Sequence, residues 1–224
     1  MRTSEHLITV REAVHKREVI NNVPYTYLFM KRTLDIFASA TGIILLSPLL
    51  LAVAALIRLE SEGPVFFRQE RIGHNGKIFH MIKFRSMVKD AEKLLKELES
   101  RNEVKGHMFK IREDPRITRI GKFIRKTSID ELPQLFNVLR GEMSIVGPRP
   151  PITREVLNYG IWHNLRMSVK PGMTGLWQIS GRNNIGFDEM VRLDLKYIRE
   201  RCFFYDLKII LKTLPVLLGD SKAF

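Results

Sequence analysis

The stretch "LDIFASATGIILLSPLLLAVAALI", Leu34–Ile57, carries one charge, Asp35. As a helix it would reach ~36 Å at ~1.5 Å per residue, enough for a hydrocarbon core of ~30 Å. One reading is therefore a single transmembrane helix. A buried core helix fits less well, because apolar residues occupy every face. Ser47-Pro48 sits near the middle, and proline there removes a backbone donor and should kink the helix. Both flanks are basic, Lys31 and Arg32 before and Arg58 after, so charge sets no orientation. A helix that enters, bends at Ser47-Pro48 and returns would place both flanks on one face.

The surrounding chain divides by composition into an extension over 1–30, the apolar helix over 31–58 and a mixed domain over 59–224. The length of 224 residues suffices for one medium domain with its own core. A formal net charge of +13 points to polyanionic partners: nucleic acid, anionic lipid or phosphorylated substrates. The single cysteine, Cys202, excludes an internal disulfide. The histidines show no close pair at zinc-ligand spacing. The first thirty residues lack the apolar core and cleavage site of a secretory signal, and read as an amphipathic helix or a simple extension.

"SEGPVFFRQERIGHNGKIFHMIKFRSM", Ser61–Met87, reads as two strands around a turn at Asn75-Gly76. Alternation puts Phe79, Met81, Lys83 and Arg85 on one face, with Lys83 and Arg85 ~7 Å apart as a phosphate clamp or a solvated pair. "KDAEKLLKELESRNEV" is expected to be a charged surface helix. "KPGMTGLWQISGRNN" is a glycine-rich loop, and "GPRP" with Pro151 is a stiff extended one. In the C-terminal piece, Leu207, Ile210, Leu211, Leu214 and Leu218 fall at helical spacing, flanked by Lys208 and Lys212. That pattern suits an interfacial helix or a core-facing one.

The usual phosphate loop, the dinucleotide fingerprint and the serine nucleophile elbow are absent from the sequence. Aromatic platforms and recognition helices are also missing, so nucleic acid is not the expected partner. The cations instead gather around glycine- and proline-rich loops: Lys83, Arg85, Arg125, Arg149 and Arg182. Arginine forks converging on one site would hold a diphosphate. Two adjacent carboxylates, Asp130 and Glu131, offer oxygen ligands for Mg²⁺ shared with substrate phosphates.

That pair, in "RKTSIDELPQLFNVLRGEMSIVGPRP" (Arg125–Pro150), has two readings. Ser128 through Glu131 matches a capping box. Pro133 would then sit inside the helix, so the helix starts more comfortably near Asp130. Asp130 at a positive helix end would suit a phosphoryl-accepting nucleophile, since a carboxylate needs no deprotonation at neutral pH.

Five ordered motifs carry a family likeness: "KRTLDIFASATGIILLSPLLL", "GPVFFRQERIGHNGKIFHMIKFRSM", "RKTSIDELPQLFNVLRGEMSIVGPRP", "KPGMTGLWQISGRN" and "LDLKYIRERCFFYDLKIILKTLPVLLG". Over Lys31–Gly219 the chain resembles the monotopic polyprenyl-phosphate phosphoglycosyl transferases, bacterial sugar transferases that start glycan assembly on a lipid carrier. The resemblance implies an α+β, mainly helical fold. A re-entrant membrane helix broken at Ser47-Pro48 would carry a cytoplasmic catalytic domain with a small β-hairpin and interfacial amphipathic helices. It implies transfer of a sugar-1-phosphate from a UDP-sugar to undecaprenyl phosphate, with release of UMP, at the cytoplasmic face of the bacterial inner membrane. Asp130 would be the covalent nucleophile, and Glu131 the metal ligand or the group assisting the second step; Mg²⁺ would be required. Lys83, Arg85, Arg125, Arg149 and Arg182 would contact phosphate or nucleotide. Thr174, Gln178, Asp194 and Tyr197 also match the pattern. Larger relatives carry further transmembrane helices and a domain, so the chain is expected to be close to a minimal catalytic unit. The oligomeric state is left open, a homo-oligomer included. The competing reading is a non-catalytic basic scaffold at a membrane surface, which requires neither the carboxylate pair nor Arg149.

The membrane arrangement has a direct check. With Cys202 replaced by serine, cysteines at Thr3 and Ser61 are expected to react with an impermeant label from the same side. Labelling from opposite sides would make Leu34–Ile57 a true span.

Overall fold

The computed structural model describes residues 23–91, 93–94, 114–181 and 185–217. Its elements are α1 (Tyr25–Glu60), β1 (Phe66–Ile72), β2 (Ile78–Phe84), α2 (Arg119–Lys126), α3 (Gln134–Arg140), β3 (Ser144–Val146), α4 (Thr153–Val156), α5 (Ile161–Asn164), β4 (Gly172–Thr174), α6 (Leu176–Ser180), α7 (Phe187–Glu200) and α8 (Phe203–Leu217). Short 3₁₀ turns lie at His74–Gly76, Ile129–Glu131 and Leu165–Ser168. The expected surface helix over 89–104 lies largely outside the described residues.

Two compact units share these elements. One comprises the described residues among 1–45, 68–81 and 134–224; the other comprises those among 46–67 and 82–133. Both α1 and the β1–β2 hairpin run through the two.

The hairpin forms where the sequence places it. Asn75 (φ 54°) and Gly76 (φ 71°) both take left-handed backbone, the pattern of a turn matched to strand twist. The Lys77 N–H donates to the His74 carbonyl at 3.2 Å and closes it. A second two-stranded sheet was not expected: β3 and β4 pair in parallel, Ser144 with Gly172 and Val146 with Thr174. Strands of three residues give too short an alternation to read.

In the first unit, three apolar clusters make the core. Val146, Tyr197, Ile198 and Ile209 gather α7 and α8 on β3. Phe79, Met81, Val138 and Met143 join the hairpin to α3. Ile72, Val156, Tyr159 and Met167 form the third.

The N-terminal part of α1 is tied to this unit by polar groups. Lys31 Nζ donates to Asp206 Oδ2 (2.8 Å), the Val146 carbonyl (2.9 Å) and the Tyr197 hydroxyl (3.2 Å). Asp206 also accepts from Tyr27 at 3.1 Å and Tyr197 at 2.8 Å. Arg32 donates to the Val138 and Leu139 carbonyls near the end of α3, where a cation opposes the helix dipole. Asp35, the lone charge of the apolar stretch, accepts from Ser144 Oγ and the Ile145 N–H, both at 2.9 Å.

In the second unit, Val53, Ile57, Phe84 and Ile124 form the core. Arg85 lies buried at the C-terminal end of α1, donating to the carbonyls of Ser61 (2.7 Å) and Glu62 and to Ser61 Oγ (3.0 Å). Glu60 accepts the N–H groups of Arg119 and Ile120, filling the open donors that start α2. Gly63 has φ 115°, and a Cβ there would meet an Arg85 nitrogen at 2.2 Å. Only glycine serves at that position.

Three expectations about the apolar helix are refined. It begins at Tyr25, so the boundary placed at residue 31 falls inside a helix. Pro48, where a kink was expected, lies inside the helix, and the division between the units falls at Leu45/Leu46. The flanking Lys31 and Arg32 are structural ties rather than free surface charges. Between the tied ends, Phe37, Ile44, Leu45 and Leu51 stand exposed, and α1 is long and apolar enough to cross a membrane by length and composition.

α8 divides in the same way. Asp206 and Ile209 face inward and Thr213 is half-buried, while Phe204, Leu211 and Leu214 are exposed beside Lys208 and Lys212. Leu218 lies outside the described residues.

Removing one partner of a buried ion pair strands the other. Asp206→Ala is expected to cost about 3–5 kcal/mol of stability. The joint replacement Lys31→Met with Asp206→Leu should recover a large part of that loss. Thermal unfolding in detergent measures both, and equal losses would mean the pair is not the tie described.

Candidate functional site

The carboxylate pair sits on a 3₁₀ turn between two helices. α2 ends at Thr127, whose hydroxyl donates back to the Phe123 carbonyl at 2.9 Å. Ser128 then takes a left-handed conformation (φ 55°) and makes no side-chain cap. The Glu131 and Leu132 N–H groups donate to the carbonyls three residues back, Ser128 and Ile129, each at 3.2 Å.

Both sequence readings of the helix start are therefore corrected. The capping box does not form, because left-handed Ser128 gives no cap to the following turn. The helix does not start at Asp130 either; α3 begins at Gln134, after the proline. Pro133 has no N–H to give to Ile129, so the chain closes a tighter turn first and begins its α-helix beyond.

Asp130 is half-buried in this turn. Its carboxyl is pushed up to about 6, first by burial and then by the neighbouring Glu131 charge, while Lys83 and Arg125 pull the other way. Glu131, also half-buried, pairs with Lys83, Nζ to Oε1 at 2.7 Å. Lys83 comes from β2 and is flanked by buried Ile82 and Phe84, so its stem is fixed by the strand. Arg125 stands exposed in the last turn of α2. One exposed and one half-buried cation thus attend two carboxylates of unequal environment. Such divergence separates the roles of neighbouring acids.

The expected clamp of Lys83 with Arg85 takes another form. Lys83 engages Glu131, whereas Arg85 engages the end of α1. In this structure Arg85 holds the loop that follows α1.

The remaining predicted residues lie in the first unit, except Arg182, which is outside the described residues. Arg149, in the "GPRP" loop, contacts Glu155 through Nη1 at 3.3 Å and 3.4 Å. Thr174 is buried on β4 and its hydroxyl bonds that of Thr213 on α8 at 2.7 Å. Gln178 donates to the Met173 carbonyl at 3.2 Å, and its Oε1 is buried without a partner. Asp194 is deeply buried; burial pushes its carboxyl up, and the Arg166 guanidinium at 2.7 Å opposes that. Tyr197 is buried against Asp206. Thr174 and Tyr197 thus spend their hydroxyls inside the unit, while Asp194 engages Arg166 through Oδ2 and its Oδ1 is buried without a partner among the described residues.

The two glycine-rich loops meet backbone to backbone. A Cβ on Gly172 would lie 2.0 Å from the Gly147 nitrogen, and one on Gly175 would lie 2.4 Å from its carbonyl oxygen. This close approach seats "GPRP" on "KPGMTG".

Sequence reasoning missed Arg166, Glu155 and Asp206. Asp206 had a signal, a lone acid in an apolar helix. Arg166 and Glu155 had none, since single charges between apolar residues usually face water.

For Mg²⁺ the donor set is adequate only with help from substrate. Among the described residues no group of three or more His, Cys, Asp or Glu gathers. Asp130 and Glu131 fit the mode in which one or two carboxylates and substrate phosphates share the ion.

Similarity to known proteins follows the same residues. Residues 26–220 match the family described as bacterial sugar transferase. The galactosyl transferase CpsE of Streptococcus agalactiae is 53% identical over 200 residues, 89% of this chain and 44% of that protein. The undecaprenyl-phosphate galactose phosphotransferase of Salmonella typhimurium is 43% identical over 200 residues, 88% and 42% respectively. The exopolysaccharide production protein ExoY of Rhizobium meliloti is 42% identical over 189 residues, 83% and 84%. The chain thus spans less than half the length of the first two and most of the third. With the match running from α1 through the carboxylate turn to α8, this chain belongs to the bacterial sugar transferase family.

Proposed function

We propose that the chain transfers a sugar-1-phosphate from a UDP-sugar to undecaprenyl phosphate, giving an undecaprenyl-diphosphate sugar and UMP at the start of glycan assembly. The observation that carries the reading is the turn at Ile129–Glu131, where a half-buried carboxyl of raised pKa stands beside a lysine-paired one. The name of the Salmonella relative supplies the acceptor, and that of the UDP-galactose-lipid carrier transferase of Erwinia amylovora supplies the class of donor.

In the first step an Asp130 carboxylate oxygen attacks the phosphorus that bears the sugar. The bond from that phosphorus to the bridging oxygen breaks, and UMP leaves with the oxygen and its electron pair. In the second step an oxygen of undecaprenyl phosphate attacks the same phosphorus and the Asp130 carboxylate leaves. Partial desolvation suits Asp130 to attack, because a poorly solvated carboxylate is more basic. Lys83 and Arg125 face the charge that gathers on the phosphoryl oxygens. Lys83 also fixes Glu131, which is placed to assist the second step. Mg²⁺, held by Glu131 with Asp130 and the diphosphate, would neutralise phosphate charge. Arg149 and Arg182 add phosphate contacts in this reading, and Arg85 acts by holding the loop after α1.

The lipid acceptor calls for a membrane surface. The exposed apolar middle of α1 enters the cytoplasmic leaflet of the bacterial inner membrane and returns, with its bend at Ser47-Pro48. The outer face of α8, with Phe204, Leu211 and Leu214 beside two lysines, lies at the interface.

Asp130→Asn is expected to reduce UMP release from a UDP-sugar panel, with undecaprenyl phosphate and Mg²⁺, at least about a thousandfold. Full activity would remove Asp130 as nucleophile. Its raised pKa also fixes a sign for stability. Folding favours the protonated carboxyl, so the Asp130 contribution is most favourable below its ordinary range and is lost as pH rises through about 6. Without added Mg²⁺, Asp130→Asn should therefore melt higher than the parent at pH 7–8, the gap narrowing as pH falls through about 6 and closing only near about pH 4. A lower melting temperature at pH 8 would contradict the buried setting.

A further inference from the structure

The "GPRP" loop combines a pinned backbone with a loosely held side chain. Four consecutive carbonyls accept hydrogen bonds: Pro148 from the Gly172 N–H (2.9 Å), Arg149 from Arg166 (3.2 Å), Pro150 from Arg71 (2.8 Å) and Pro151 from the Ile72 N–H (2.9 Å). Arg166 is itself fixed, with Nε on Asp194 at 2.7 Å and Nη1 on the Tyr159 hydroxyl at 2.9 Å. The proline rings restrict the remaining torsions.

The Arg149 guanidinium is different. Among the described residues its only polar contacts run from Nη1 to the two Glu155 oxygens, at 3.3 Å and 3.4 Å. Charge-assisted bonds of this kind normally close to ~2.7–2.9 Å. Most of the fork is left over for another acceptor, and the side chain is part-exposed. Glu155 does not depend on Arg149 for its place. It is nearly buried, and its Oε2 accepts the Ile152 N–H at 3.1 Å, which closes the first turn of α4.

We propose that Glu155 is a stand-in anion for Arg149: it neutralises the guanidinium when no phosphate is present and yields it when a substrate phosphate binds. Glu155 then sets the affinity of the site from behind, without touching substrate. The free energy of phosphate binding is reduced by that of the contact it replaces. The inference rests on the phosphate role given to Arg149 above. A phosphate at this site has two sources, the diphosphate of the nucleotide sugar or the head of the polyprenyl phosphate.

The test is equilibrium binding to the full chain in detergent, with UDP, uridine and undecaprenyl phosphate as separate probes. Glu155→Gln keeps an acceptor for Ile152 but loses the charge. It is expected to tighten one phosphate probe about two- to fivefold, the range of a part-exposed ion pair. Uridine, which lacks phosphate, should be unaffected. Tightening of UDP identifies the nucleotide sugar as the source; tightening of undecaprenyl phosphate alone identifies the lipid. In an Arg149→Gln background the Glu155 effect should vanish. Weaker or unchanged binding of both phosphate probes to Glu155→Gln overturns the proposal while leaving Arg149 its role. If Arg149→Gln alone changes neither probe, the phosphate role of Arg149 falls, and this inference with it. Glu155→Asp, which keeps the charge but withdraws it, gives the same sign in smaller measure if Glu155→Gln does not fold.

Discussion

An apolar helix has no preferred face, so hydrophobic packing alone cannot fix where it sits. In α1 charge adds to the packing of Val53 and Ile57. Lys31, Arg32 and Asp35 bind one unit within little more than a helical turn, through Asp206, the end of α3 and the start of β3. At the other end Glu60 opens α2, and Arg85 takes carbonyls of the segment that follows. The unpaired cost of burying such groups makes each tie specific. The exposed apolar middle is left over once both ends are bound, and it needs no polar partner because its backbone is satisfied within the helix.

A backbone constraint shapes the carboxylate turn. Pro133 prevents an α-helix from running through Asp130, so the two carboxylates occupy a short 3₁₀ turn. Adjacent residues on such a turn point ~120° apart. One carboxyl is thereby turned into a partly desolvated setting, and its neighbour toward Lys83. Two neighbouring acids acquire different partners from a single backbone decision. That decision follows from one proline and from the left-handed Ser128 before it.

The parts legible in the sequence were those with periodic or special backbone demands. The hairpin was readable because Asn75-Gly76 can take two left-handed conformations in succession. The long helix was readable from its unbroken apolar run, although its start was hidden in Tyr25–Met30, which mixes polar and aromatic residues. The site was readable only in outline. Asp130, Glu131 and Lys83 come together, but the helix start assigned to Asp130 did not, because a 3₁₀ turn leaves no periodic trace. The parallel β3–β4 pair was invisible for the same reason. Thr174, Asp194 and Tyr197 were marked by family pattern and prove to be interior hydrogen-bonding residues. Pattern alone does not separate a group that touches substrate from one that positions the frame.

The net charge of +13 looked at first like a surface property. In the structure several of the cations it counts are internal fasteners: Lys31 on Asp206, Arg32 on α3, Arg85 on the loop after α1, Arg166 on Asp194. These cannot also serve as an anion-binding field, since their donors are already engaged. Other described cations, Lys122, Lys126 and Arg199 among them, stand exposed, and two sit beside carboxylates. Arg125 is exposed beside the carboxylate turn, and Arg149 rests on a long, replaceable contact. A basic scaffold that only adhered to anionic lipid would gain by freeing its cations to the surface. Engaging several cations internally, while Arg125 and Arg149 each stand beside a carboxylate, fits the proposed uptake and release of a phosphate better than simple adhesion.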